Sequence, residues 1–114
     1  MLNRLERYFE AVPYYKKSCD ELNVGSSCSN LGEMYADGQG LRKDDFIAKK
    51  YYEKGCALNS GPACNNLGLL YVYGDGVAQN LSTAKEYFGK GCDFGSQKGC
   101  DNYKRDWLKK DDED

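Results

Sequence analysis

The chain has 114 residues, of which 40% are hydrophobic and 30% charged, with a formal charge of −2 and no histidine. That size supports one small domain. Lys and Arg alternate with Asp and Glu throughout, which excludes the basic stripe of a nucleic-acid binder, and no apolar run is long enough to span a bilayer.

Taken in order, the periodicity predicts six helices in three antiparallel hairpins, 3–21 with 26–37, 45–58 with 62–73, and 82–94 with 98–109. Pro13 is the irregular point in the first helix. It must either kink that helix or occupy its first turn, in which case residues 1–12 form a separate short helix. In the third and fifth helices Ala48, Tyr51, Tyr52 and Gly55, then Ala84, Tyr87, Phe88 and Gly91, stand at i, i+3, i+4 and i+7, a stripe of rings beside small gaps. Asp44 or Asp45, and Ser82, are the N-cap candidates. In the fourth helix Leu67, Leu70 and Tyr71 share a face. Gly68 there, and Gly32 two helices earlier, cost about 1 kcal/mol each relative to alanine, so their recurrence predicts a close helix contact. Gly38-Gln39-Gly40 and Gly74-Asp75-Gly76 fall between units, where a helix must stop and the backbone must turn. The acidic run Asp111 to Asp114 reads as a solvated tail.

The register behind these elements is set by six cysteines in three pairs. Cys28, Cys64 and Cys100 are 36 residues apart, while Cys19 to Cys56 is 37 because the first pair encloses one extra residue. A period in the thirties is the signature of a solenoid of supersecondary units, with repeats of roughly 9–44, 45–80 and 81–110. Neither the close spacing of zinc ligands nor a C-x-x-C redox pair occurs. A disulfide across each hairpin turn, 19–28, 56–64 and 92–100, is the expectation, leaving no free thiol.

The pattern A-x-x-Y-Y-x-K-G-C, x7, C-x-N-L-G-x-L-Y-x-x-G-x-G, best matched from Ala48 to Gly76, resembles the Sel1-like repeat, and in particular its cysteine-rich bacterial subgroup, the Helicobacter cysteine-rich proteins. The resemblance covers nearly the whole chain. It implies an all-α fold, an α/α superhelix of three disulfide-clamped hairpins related to tetratricopeptide repeats. Lys104 departs from the pattern where glycine is expected, and no Gly-x-Gly follows it, as suits a terminal unit.

For function the resemblance implies two things, a protein-interaction scaffold and a penicillin-binding or weak β-lactamase activity. Ser82-Thr83-Ala84-Lys85 matches S-x-x-K literally, but S-D-N and K-T-G are missing, and Ser82 stands where a cap is wanted. Without histidine there is no Ser-His or Cys-His pair, and no metal or cofactor motif is present. No catalytic residue is assigned.

Binding is the better-supported expectation, with a protein or peptide as partner, neither nucleic acid nor membrane, and a monomeric chain. The fourth helix carries Leu67, Leu69, Leu70, Tyr71, Val72 and Tyr73, more apolar side chains than one packing stripe consumes. By analogy with tetratricopeptide repeats, Asn65, Leu69, Val72 and Tyr73 fall on the concave face. The matching positions are Ser29, Glu33, Ala36 and Asp37 in the second helix, and Asp101, Arg105, Leu108 and Lys109 in the sixth. On the alternative reading Leu69 and Val72 simply touch an adjacent hairpin. A third function, an immunity protein neutralising a secreted toxin, follows from the family alone. Three disulfides call for the periplasm or the exterior of the cell, whereas Met1 to Val12 contains no signal-peptide core, so a removed leader is expected.

Overall fold

The computed structural model describes residues 4–105 and 107. Within them are α1 (Arg4–Asp20), α2 (Gly25–Asp37), α3 (Asp45–Ala57), α4 (Gly61–Tyr73), α5 (Leu81–Asp93) and α6 (Gln97–Lys104), with no strand among the described residues. The fold is all-α, an elongated stack of three antiparallel hairpins. A disulfide clamps each hairpin: Cys19–Cys28, Cys56–Cys64 and Cys92–Cys100, at Cα separations of 4.8, 4.6 and 4.4 Å. Closing loops this short contributes about 2.5 kcal/mol each on the chain-entropy account.

The three clamped turns are built alike. Asn23, Asn59 and Gly95 each take a positive φ, of 54°, 67° and 93°, which reverses the chain between the two cysteines. Ser60 and Ser96 then cap α4 and α6, accepting from the amides of Ala63 and Gly99. The first turn is one residue longer. Val24 stands at its cap position, and its side chain has no oxygen to offer. On the opposite edge, Gly38 and Gly74 close α2 and α4 in the left-handed conformation, at φ 69° and 71°.

Two aromatic seams hold successive units together. An added Cβ on Gly32 would lie 2.6 Å from the Tyr52 ring, and one on Gly68 would lie 2.6 Å from Phe88, so each ring packs flat against bare helix backbone. Three residues on, Tyr35 stacks on Tyr51 and Tyr71 on Tyr87, both at 5.8 Å between ring centres. Tyr52 and Phe88 are consequently buried, as are Ala48 and Ala84 one turn earlier. Burying rings of this size contributes roughly 1.5–3 kcal/mol apiece.

Two details differ from the sequence expectations, the cap of α5 and the end of α6, and two open alternatives are narrowed, at Pro13 and before α3. Helix α1 runs unbroken through Pro13, which is neither in a first turn nor a boundary between two helices; its ring sits on the exposed side, where the lost backbone hydrogen bond is least costly. The N-cap of α5 is Asn80, whose side chain accepts from the Thr83 amide at 3.0 Å, so Ser82 is inside the helix. Between the two candidates before α3, Asp44 is the cap and accepts from the Ile47 amide. Finally, α6 stops at Lys104 rather than continuing to 109, because Arg105 turns extended (ψ 140°) and Trp107 folds back, its Nε1 donating to the Asn102 carbonyl at 3.0 Å.

Candidate functional site

Helices α2, α4 and α6 touch one another in succession, whereas α1, α3 and α5 meet at most marginally. These three helices form one layer of the stack, the layer on which the analogy with tetratricopeptide repeats sets the binding face. Seam glycines hold α2 and α4 in place, and a disulfide near its start holds each of the three.

Of the residues expected on this face, the structure exposes Glu33, Asp37, Tyr73, Asp101 and Arg105, half-buries Ala36 and Leu69, and buries Ser29, Asn65 and Val72. Val72 is 5% exposed and packs against Ala84 and Phe88 of α5, which corrects its assignment to a binding surface and favours the adjacent-hairpin reading. Asn65 is likewise buried; its Oδ1 accepts from Asn102 Nδ2 at 2.8 Å and ties α4 to α6. Ser29 is buried beside the first disulfide residue. The apolar surplus of α4 thus has a structural explanation: this helix packs on α2, α3, α5 and α6 at once, so more than one stripe is consumed. Ala36 is half-buried against the Tyr52 cluster and Asp37 is exposed. Leu108 and Lys109 lie outside the described residues, as does the acidic tail.

Two of the exposed residues on this face, Tyr73 and Arg105, meet at Trp107. Tyr73, the last residue of α4, is 64% exposed and meets the Trp107 ring edge-on at 6.4 Å. The Arg105 guanidinium lies 4.8 Å over the same Trp107 ring, whose other neighbour is Phe88 at 5.8 Å. Leu69 borders this group through the Val72–Phe88 cluster. Sequence reasoning placed Tyr73 and Arg105 on the face but missed Trp107. Its signal was available, because Trp107 occupies the register position of Tyr35 and Tyr71. Asp101 points its carboxylate to the Gln97 amide at 3.0 Å.

Electrostatics elsewhere follow burial. The Tyr52 hydroxyl is pushed well above its ordinary pKa, first by burial and then by the carboxylates of Glu33, Asp37 and Asp45. Tyr51 and Tyr87 are raised for the same leading reason. Ser82 is exposed near the start of α5, and Lys85 Nζ sits 4.9 Å over the Tyr103 ring. Among the described residues no group of three His, Cys, Asp or Glu could hold a metal ion. All six cysteines are in disulfides.

Comparison with known proteins matches the Sel1 repeat model twice, over residues 25–60 and 61–96. The chain belongs to the Sel1 repeat family. The matched units pair α2 with α3 and α4 with α5, the helices joined by the aromatic seams, so the family repeat straddles the disulfide-clamped hairpins. Helicobacter pylori cysteine-rich protein B is similar in structure, with a TM-score of 0.74 and 37% identity over 88% of this chain and 71% of its own. A Sel1 repeat protein from Oxalobacter formigenes superposes with a TM-score of 0.77 at 28% identity, covering 83% of this chain and 38% of its own. A short stretch of 34 residues is 53% identical to the Helicobacter pylori protein named "Putative beta-lactamase HcpD"; it covers 30% of this chain and 11% of that protein. Sel1 repeat proteins are generally protein-interaction modules. The disulfides and the Helicobacter relatives are consistent with a protein outside the cytoplasm.

Proposed function

We propose that this chain is a non-enzymatic, monomeric binding module that holds a protein or peptide segment on its concave face, outside the cytoplasm. The observation that carries the reading is the cluster of Tyr73, Trp107 and Arg105 beside Leu69, an exposed aromatic group with a cation, at the edge of an otherwise polar inner surface. Tyr, Trp and Arg are the side chains that most often dominate binding energy, and a repeat array offers them an extended surface on which to align a partner. Glu33 and Asp101 lie along the same face and tune encounter and specificity.

Catalysis through Ser82 is not adopted, since the sequence holds neither S-D-N nor K-T-G, and Lys85 rests on an aromatic ring. The test of binding is a pull-down from the native extract followed by calorimetry on Tyr73→Ala. Affinity should fall by about 2 kcal/mol, with the melting temperature nearly unchanged because the ring is exposed. A large drop in melting temperature with unchanged affinity removes Tyr73 from the site.

A further inference from the structure

Because α3 and α5 meet at most marginally, a cleft of about 370 Å³ opens between them, a size at the lower end of small-molecule sites. Its apolar lining includes Ala57, Leu67 and Phe94, and the charged groups at it are Glu53 and Lys90, with Tyr87 beside them. The preceding pair of helices shows what this cleft lacks. Between α1 and α3 the Tyr51 hydroxyl donates to the Asp20 carboxylate at 3.4 Å. One repeat on, Tyr87 holds the place of Tyr51, but Ala57 holds that of Asp20 and Glu53 that of Lys16. Among the described residues the Tyr87 hydroxyl makes no hydrogen bond and neither Glu53 nor Lys90 forms an ion pair; the Lys90 ammonium lies over the Tyr87 ring, 5.3 Å from its centre.

A half-buried hydroxyl beside an unpaired ammonium is a place for a carboxylate, the group that Asp20 supplies in the preceding cleft. A plain carboxylate, however, would also meet Glu53, whose charge adds to burial and to Tyr71 in raising the Tyr87 pKa. An ammonium on the same molecule offsets that repulsion. We infer that the α3–α5 cleft binds a small zwitterion with an apolar body, an amino acid or dipeptide whose carboxylate accepts from Tyr87 and Lys90, whose ammonium faces Glu53, and whose side chain packs on Ala57 and Phe94. Phe94 is 40% exposed and has ring surface to offer, with Leu67 beneath as an apolar floor. The site is separate from the Tyr73 cluster, since its flanking helices α3 and α5 belong to the other layer of the stack. The cleft between α1 and α3 is excluded as a second copy of it, because there the chain provides its own carboxylate.

The probes are L-phenylalanine and the dipeptide L-leucyl-L-phenylalanine, titrated into the intact, oxidised protein and followed through its isotope-labelled backbone amides. Saturable shifts should appear at residues 53–59 and 87–94. Saturation by phenylalanine supports a free amino acid as the ligand, and saturation by the dipeptide alone supports the end of a short peptide. Affinity should fall at least tenfold when the probe's amine is acetylated, and equally when its carboxylate is amidated. It should fall as far when the protein carries Ala57→Asp, which restores the carboxylate of the preceding cleft at an exposed position. Lys90→Gln should also weaken binding, and keeps the test usable if Ala57→Asp misfolds. Absence of saturation with both probes overturns the inference, as does undiminished binding of either capped form or undiminished binding by the folded Ala57→Asp protein.

Discussion

Helices α1 and α3 carry the same Ala-x-x-Tyr-Tyr signature, yet on α3 Tyr51 is half-buried and Tyr52 is 3% exposed, whereas their counterparts on α1, Tyr14 and Tyr15, are 65% exposed and half-buried. The sequence motif is the same, and the difference is whether a Gly-x-x-Tyr helix lies against it. Burial at this position is thus a property of the seam rather than of the helix. The far end makes the same point in reverse: Lys104 replaces the seam glycine, α6 stops there, and the last disulfide, Cys92–Cys100, is half-buried where the other two are buried.

The sharpest way to break this comparison is to remove a ring from a filled seam. Phe88→Ala should cost roughly 3–5 kcal/mol in denaturant unfolding, because the ring is fully buried and α4 cannot collapse into the space. Tyr14→Ala, at the matching face of α1, should change stability by less than about 0.5 kcal/mol, since its ring is mostly in solvent. A comparable loss from both changes would mean that α1 is also covered.

A smaller effect is expected from filling the gap instead. Gly68→Ala gains helix propensity of about 1 kcal/mol, but its methyl would stand 2.6 Å from the Phe88 ring. Overpacking of this kind costs about 1–3 kcal/mol. Net destabilisation in a thermal melt is the expected outcome, and a raised melting temperature would show that the seam has room.

The smallest effect is in pH. Burial raises the folded-state pKa of Tyr52 above its unfolded value near 10. The associated stability is fully present below about pH 10 and is lost as the pH rises above it, because unfolding lets the hydroxyl ionise. Tyr52→Phe, which copies the Phe88 seam, should therefore unfold at a higher alkaline pH than the parent. Tyr51 and Tyr87, also raised, leave some alkaline sensitivity in both proteins.

Much of the fold was legible because the 36-residue register states each seam twice: Gly32 and Tyr35 precede Tyr51 and Tyr52 at the same interval as Gly68 and Tyr71 precede Tyr87 and Phe88. The candidate site was less so. Helical periodicity reports which residues share a face but not how many neighbours that helix has, and α4 has four. That is why Val72 read as surface and is core. The end of α6 was hidden for a related reason, since Trp107 fits the helical pattern of Tyr35 and Tyr71, yet its ring packs on Phe88 and its Nε1 bonds back to the Asn102 carbonyl. At Ser82 a cap preference was legible but misplaced by two residues, with Asn80 offering the better-placed side-chain oxygen.

The central claim, that seam occupancy decides the burial of a repeated motif, is tested most directly by tyrosine nitration of the native protein mapped by mass spectrometry. Tyr14 should be modified readily and Tyr52 should remain protected until the protein unfolds. Protection of Tyr14 to the same degree as Tyr52, or early modification of Tyr52, would contradict the account.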